Sequence, residues 1–211
     1  MAQSLAPSLP VQASESSNLS AEDRARRVKV LLFDVDGVLT DGGITVSPGS
    51  EGKPVEIKTF SAHDGMGIAL AHTAGLKVGW VTKRDSQAVR IRAKDLRIDH
   101  VYQGQHYKVE ALDQIVKEEG CTLEEIAYVG DDIIDLPVMR KVGLAIAVAN
   151  ARPQVKAIAH FTTQHAGGYG AGRDAIDFLL NARGVLEETI EKYLDPNDEE
   201  AQKADIGVGN M

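Results

Sequence analysis

Asp34 and Asp36, two aspartates one residue apart, are the residues whose spacing most directly predicts chemistry in this chain. They follow the apolar run Val30 to Phe33 and precede Gly37. A short apolar run that ends in a glycine turn is typical of a buried strand. Strand alternation would point both carboxylates to the same side, where they repel each other unless a cation or a shared proton relieves them. We therefore expect a divalent metal ion here.

Polar residues also follow other predicted strands. Thr82 ends one strand, Lys108 lies in the loop after another, and Asp131 and Asp132 follow a third. Helical patterns separate these strands, and such alternation favours an α/β fold with a doubly wound parallel sheet. Because a parallel sheet gathers the carboxyl ends of its strands at one edge, we expect these side chains to form a single site.

This set of residues fits phosphoryl transfer, which needs a nucleophile, neutralised phosphate oxygens and a proton donor for the leaving group. Asp34 can attack phosphorus and form an aspartyl-phosphate. Asp36 can protonate the leaving alkoxide and then activate water. Thr82 offers a hydrogen bond to a phosphoryl oxygen, Lys108 a positive charge, and Asp131 an oxygen ligand for Mg²⁺.

Each of these residues also has a simpler interpretation. Thr82 could merely end its strand, and Lys108 could be a solvated helix residue, as most lysines are. Asp132 and Asp135 are spaced to support the metal ligand Asp131, and they could equally be carboxylates favoured by the dipole at a helix N-terminus.

A hairpin is predicted between the first strand and the first long helix. Residues 44–46 and 55–58 are β-prone and flank a turn rich in Ser, Pro and Gly. This segment can form a flap. Neither residues 41–63 nor residues 84–107 leave room for a separate cap domain.

Composition limits the classes of function. The 211 residues carry a formal net charge of -8 with no basic block, which argues against a nucleic-acid partner. No segment approaches the roughly 18 apolar residues of a membrane span. The single Cys121 cannot form an intramolecular disulfide, which fits the cytoplasm. Residues 1–26 lack the pattern of a secretory signal; they and the acidic stretch 195–211 are predicted to be disordered tails around a folded domain at 27–194.

The motifs resemble those of the haloacid-dehalogenase-like (HAD-like) phosphatases. The matching segments are Asp34 to Thr40, then Thr82, then Lys108, then Gly130 to Asp135, in the order of that family. Four motifs in order are far more specific than any one of them. The resemblance implies a Rossmann-like sheet. It also implies that Asp34, the backbone carbonyl of Asp36 and Asp131 hold Mg²⁺, with Asp34 as nucleophile and Asp36 as acid and base.

Within that family the chain is similar to the cap-less 3-deoxy-D-manno-octulosonate 8-phosphate (KDO 8-phosphate) phosphatases. The similarity includes the segments 36–42, 60–67, 102–104, 127–137 and 167–173. It implies a phosphorylated sugar acid as substrate, a place in lipopolysaccharide precursor synthesis, and a homotetramer. In such a tetramer the flaps assemble and a neighbouring subunit closes the site. The alternatives are a phosphatase for nonulosonate (sialic-acid-type) 9-phosphates and a non-catalytic binding protein with the same fold.

Substrate contacts are expected from a wider set of residues. The candidates are Phe60, His63, Asp64, Lys83, Arg84, Arg92, Gly168 and Arg173. The chain departs from the group at His63, where arginine is usual, at Ala69, where a basic residue is common, and at Lys83, where glycine is usual. Asp64 could instead be only a helix N-cap, and residues 167–173 could form either a flexible loop or a backbone anion nest.

Overall fold

A six-stranded parallel sheet organises the computed structural model, which describes residues 19–198 and 202–203. Its strands, in spatial order, are β5 (His100–Tyr102), β4 (Lys77–Val81), β1 (Val30–Phe33), β6 (Ile126–Gly130), β7 (Leu144–Ala147) and β8 (Phe161–Thr162). The central strand β1 pairs in parallel with β4 on one side and β6 on the other, and all four of its residues are buried. The predicted parallel sheet is confirmed.

Eight helices within the described residues connect or flank these strands. They are α1 (Ala21–Ala25), α2 (Ala62–Thr73), α3 (Gln87–Asp95), α4 (Val109–Glu119), α5 (Leu136–Met139), α6 (Pro153–Lys156), α7 (Ala171–Arg183) and α8 (Leu186–Leu194). Helix α2 packs against α7 and α8, whereas α4 packs against α5. The strand order reverses direction after β5, so right-handed crossovers place α2 and α4 on opposite faces. The sheet is therefore doubly wound, as expected.

The predicted flap is an antiparallel hairpin of β2 (Thr45–Pro48) and β3 (Pro54–Ile57). A 3-10 turn at Ser50–Gly52 connects its strands. Apart from this hairpin, the described residues 41–63 contain only the start of α2. Residues 84–107 contain only α3 and β5. Neither interval contains a cap domain.

The folded part begins earlier than predicted. Residues 1–26 were expected to be disordered, yet Ala21–Ala25 form α1, whose first turn is capped by Ser20 accepting from the N–H of Asp23 at 3.1 Å. Ala25 is fully buried, and the Arg24 guanidinium donates to the carbonyl of Gly143 at 2.8 Å. Tertiary contacts thus stabilise a helix too short to be stable alone. Residues 1–18 lie outside the described residues.

The C-terminal prediction is tested only in part. After α8, Asp195 and Asn197 form a turn in which the Asn197 N–H donates to the Asp195 carboxylate. Gln202 donates its backbone N–H to the carbonyl of Asp198. The remaining residues of the predicted tail, 199–201 and 204–211, lie outside the described part of the chain. No helix in that described part is long and apolar enough to cross a membrane.

Candidate active site

The carboxyl edge of the sheet contains a cavity of about 330 Å³. Of the residues predicted from the sequence, those that line it are Asp34, Asp36, Thr82, Lys83, Arg84, Asp131 and Asp132. They come from the loops that follow β1, β4 and β6. The structure therefore brings together at one edge the residues that the motif order predicted.

Lys108 connects two of the carboxylates at the floor of this site. It precedes α4, and its side chain is only 2% exposed. Its Nζ lies 2.7 Å from Oδ2 of Asp34 and 2.8 Å from Oδ1 of Asp135. Burial alone would lower the pKa of Lys108, but the two carboxylates more than offset this and raise it. Lys108 is therefore a buried cation rather than a solvated helix residue.

Asp135 arranges the site without facing its cavity. Its Oδ1 accepts from Lys108 and from the Tyr128 hydroxyl at 2.8 Å. Its Oδ2 accepts the backbone N–H groups of Asp131 at 3.0 Å and Asp132 at 3.2 Å. Both oxygens of this fully buried carboxylate are thus engaged, so that Asp135 fixes the loop that carries Asp131. Asp132 is exposed and accepts the N–H of Ile133, which caps the 3-10 turn Ile133–Asp135.

The buried carboxylates perturb each other. Burial and then the charge of Asp135 raise the pKa of Asp34 to about 7, although Lys108 opposes this shift. Burial, Asp135 and Asp34 likewise raise the pKa of Asp131 to about 7. Crowded carboxylates in a poorly solvated place favour a bound cation.

The residues fit a divalent metal ion. One oxygen each of Asp34, Asp131 and Asp135 lie within 4.8 Å of one another. Oδ1 of Asp131 is buried and has no hydrogen-bond partner. A buried carboxylate oxygen without a partner is costly, and a hard cation such as Mg²⁺ would satisfy it. Asp34 and Asp131 line the cavity, whereas Asp135 does not and each of its oxygens accepts two hydrogen bonds, so Asp34 and Asp131 are the better ligands.

Gly37 makes this arrangement sterically possible. Its φ is +90°, in the left-handed region that favours glycine. A Cβ atom added there would lie 2.2 Å from Oδ2 of Asp131. The turn after Asp36 can therefore approach the Asp131 carboxylate only without a side chain.

The Asp36 carboxylate is held in place by a residue at the end of the flap. Its Oδ1 forms an ion pair with the Nζ of Lys58, and its Oδ2 lies 3.8 Å from Nε of Arg84. Arg84 also pairs with Oε1 of Glu56 at 2.6 Å. Thr82 is buried at the end of β4, and its hydroxyl oxygen accepts the N–H of Arg84 at 3.3 Å. Thr82 thus ends its strand and lines the cavity as well.

Six of the predicted substrate contacts do not line the cavity of this single chain. Phe60 stacks on Trp80 with ring centroids 5.9 Å apart, and Arg92 pairs with Asp95. His63 is exposed. Asp64 and Arg173 belong to a contact between α2 and the start of α7, and Gly168 lies in the loop before α7.

At that contact Asp64 is not the N-cap of α2, so this alternative is wrong. The N-cap of α2 is Ser61, whose hydroxyl accepts the N–H groups of His63 and Asp64. The Asp64 carboxylate instead accepts the N–H of Arg173 at 2.9 Å. Burial raises the pKa of Asp64 to about 6, although hydrogen bonds from Arg173 and Gly172 oppose the shift. The N-terminus of α7 therefore binds an internal carboxylate.

Gly168 lies against the loop that follows Asp36. Its N–H donates to the carbonyl of Val38 at 3.0 Å, and the N–H of Gly167 donates to Oδ1 of Asn150 at 2.9 Å. The side chain of Arg173 pairs with Asp177 at 2.7 Å. The backbone N–H groups of Gly167, Gly168 and Arg173 are thus engaged within the chain.

Sequence reasoning missed several residues of the site, three of which make contacts that matter here. Asn150 lines the cavity, Tyr128 bonds Lys108 and Asp135, and Lys58 pairs with Asp36. The only available signals were that Tyr128 lies in the strand before Asp131 and that Lys58 ends the predicted hairpin. Neither signal specifies a partner.

Comparison with known proteins agrees with this geometry. A family model described as haloacid dehalogenase-like hydrolase matches residues 78–170. The 3-deoxy-D-manno-octulosonate 8-phosphate phosphatase of Escherichia coli (strain K12) is 44% identical over 165 residues, which cover 78% of this chain and 86% of that protein. The chain belongs to the haloacid dehalogenase-like hydrolases. The resemblance drawn from the motifs is thereby confirmed.

Solved structures of HAD-like hydrolases extend the likeness to the fold. The Yersinia pestis 3-deoxy-D-manno-octulosonate 8-phosphate phosphatase is 40% identical with a TM-score of 0.74, over 79% of this chain and 88% of that one. The Moraxella catarrhalis enzyme, in complex with a magnesium ion, a phosphate ion and KDO, is 36% identical. Its TM-score is 0.76, over 82% of this chain and 97% of that one.

Proposed function

We propose that this protein is a Mg²⁺-dependent phosphatase that hydrolyses KDO 8-phosphate through an aspartyl-phosphate. The observation that carries the proposal is the cluster of Asp34, Lys108, Asp131 and Asp135 at the carboxyl edge of the sheet, with Asp36 in the same cavity. The choice of substrate is supported by the relatives and solved structures described above, which are KDO 8-phosphate phosphatases. A non-catalytic binding protein would not need these residues in this arrangement.

The roles follow from the contacts. The carboxylate of Asp34 attacks phosphorus, with its orientation fixed by Lys108 and by the N–H of Val35 at 2.7 Å. Asp36 gives its proton to the leaving sugar alkoxide and later takes a proton from water. The Thr82 hydroxyl binds a phosphoryl oxygen.

Asp34, the backbone carbonyl of Asp36 and Asp131 are the proposed metal ligands, with Asp132 and Asp135 supporting Asp131. When bound, Mg²⁺ would neutralise charge on the phosphoryl oxygens and help to align them for attack.

A substrate panel tests the proposal. Steady-state rates would be measured on KDO 8-phosphate, on a nonulosonate 9-phosphate and on neutral sugar phosphates, with Mg²⁺ and then with a chelator. We expect the highest kcat/KM on KDO 8-phosphate and loss of activity on chelation. Preference for the nonulosonate would overturn the substrate, and activity that survives chelation would overturn the metal assignment.

The chain departs from the KDO 8-phosphate phosphatases at three positions, and of these Lys83 lines the cavity. We infer that its ammonium supplies positive charge toward the substrate carboxylate, in place of the charge lost at His63 and Ala69. Lys83→Gly is then expected to raise KM for KDO 8-phosphate but not for neutral sugar phosphates. An unchanged substrate profile would remove this role.

We also infer a homotetramer built through the flaps. Apolar side chains of the hairpin are about half exposed or more: Ile44, Val46, Val55 and Ile57. Such a patch is typical of an interaction surface, and neighbouring flaps of the same kind would cover it. Sedimentation of the wild type and of Ile57→Glu tests this inference, since a wild-type monomer would refute it. A cytoplasmic location, supported by the single Cys121, is part of the same proposal.

A further inference from the structure

Lys58, which directly follows strand β3 of the flap, is a buried cation that the catalytic steps above do not use. Its side chain is only 1% exposed. Its Nζ pairs with Oδ1 of Asp36 and lies 3.4 Å from Oε1 of Glu56. Burial of an ammonium group is costly unless the charge is paired, so these two carboxylates must accompany it.

The lysine approaches Asp36 from outside the cavity. Asp36 and Arg84 line the cavity, whereas Lys58 does not. Oδ1 of Asp36 is thereby occupied on the flap side. Oδ2 lies on the side of Arg84, at 3.8 Å from its Nε, which is too far for a direct hydrogen bond. The contact leaves one oxygen of Asp36 available to the substrate.

Glu56 connects this contact to the loop after β4. It bridges Lys58 and Arg84, and the Arg84 contact is 2.6 Å. The flap, the Asp36 carboxylate and the loop that carries Thr82 are thus joined by one chain of ion pairs. A shift of the flap would therefore move the carboxylate.

We propose that Lys58 is a positioning residue for the acid and base group: it holds Oδ1 of Asp36 so that Oδ2 faces the leaving-group oxygen. This inference rests on the proposed function. It makes the flap part of the catalytic machinery of its own subunit, because misplacement of a catalytic group by about 1 Å can cost about 100-fold in rate.

Leaving-group dependence tests the proposal. An alkyl phosphate needs a proton on its departing alkoxide, whereas p-nitrophenyl phosphate releases a stable phenolate and does not. We expect Lys58→Met to lower kcat/KM, which reports formation of the aspartyl-phosphate and not its hydrolysis, about 10- to 100-fold for KDO 8-phosphate and much less for p-nitrophenyl phosphate. Lys58→Arg, which keeps the charge, should recover part of the loss, and Lys53→Met in the hairpin turn should change neither rate.

An equal loss of kcat/KM on both substrates would show that Lys58 has a merely structural role. No loss on either substrate would show that Lys58 has no role in the reaction. Either result overturns the inference. The activity of the wild type on KDO 8-phosphate distinguishes failure of this inference from failure of the proposed function. If the wild type does not hydrolyse KDO 8-phosphate, the proposed substrate fails. The ratio of alkyl to aryl rates is then measured with any alkyl phosphate that the enzyme accepts, and it still decides the role of Lys58.

Discussion

Replacement of Lys108 by methionine is expected to destabilise the fold as well as to abolish activity. The substitution removes a positive charge that lies 2.7 Å from Asp34 and 2.8 Å from Asp135, both of them buried. Breaking a buried ion pair by removing one partner costs about 3–5 kcal/mol, because the other charge stays buried without compensation. For a chain of this size the melting temperature should fall by about 6–20 °C.

The assay is denaturant unfolding with a chelator in every sample, so that metal binding does not contribute. Lys77→Met is the matched control: Lys77 pairs with Asp99 at 2.9 Å, but its side chain is 49% exposed. An exposed pair of this kind contributes less than about 1 kcal/mol.

A second substitution tests the cause of the loss. If uncompensated carboxylates destabilise Lys108→Met, then Asp34→Asn in that background should restore part of the stability, since it removes one of the two charges. The reasoning is refuted if Lys108→Met unfolds within about 1 kcal/mol of the wild type. It is equally refuted if the double variant is less stable than the single one.

Three further substitutions give distinct expectations. Gly37→Ala should weaken activation by Mg²⁺ at least about tenfold, because its Cβ would lie 2.2 Å from the Asp131 carboxylate; a Mg²⁺ titration of activity measures this. Tyr128→Phe should cost about 1–3 kcal/mol of unfolding free energy, because the hydroxyl that donates to Asp135 is fully buried. Asp64→Asn should gain stability relative to the wild type between about pH 4 and pH 6. Burial raises the pKa of Asp64 in the folded state to about 6. The free energy of unfolding of the wild type therefore falls by up to about 3 kcal/mol as pH rises through that window.

The structure offers controls for these variants. Gly75→Ala also places a side chain at positive φ, +76°, but meets nothing within 4 Å, so it should leave Mg²⁺ activation unchanged. Tyr102→Phe removes a hydroxyl that reaches an exposed carboxylate at 3.3 Å and should cost little. For Asp64→Asn, a stability difference that stays constant from pH 4 to pH 6 would contradict the burial argument.

Local signals in the sequence predicted those elements that depend on nearby residues. Thr122 and Glu125 have the spacing of a capping box and form one, and the strands end where the polar residues follow them. The hairpin was predicted correctly because its turn and its two β-prone strands are adjacent in the sequence. Motif order likewise predicted the carboxylates around Lys108.

The remaining features depend on contacts between distant parts of the chain. Helix α1 was missed because Ala25 is buried by tertiary packing that no short window encodes. Lys58 was missed because its partner Asp36 lies 22 residues earlier, in a different loop. Asp64 was misjudged as a possible N-cap because its partner, the N–H of Arg173, lies 109 residues away. A sequence pattern suggests which groups are polar, but not which distant group each one bonds.

The most direct test of the central claim is to trap the phosphoryl-enzyme. Single-turnover reactions with KDO 8-phosphate and Mg²⁺ would be quenched in acid, digested, and examined by mass spectrometry. We predict one phosphoryl group on the peptide that contains Asp34, and none in Asp34→Asn. A phosphoryl group on another residue would contradict the account, as would full turnover by Asp34→Asn.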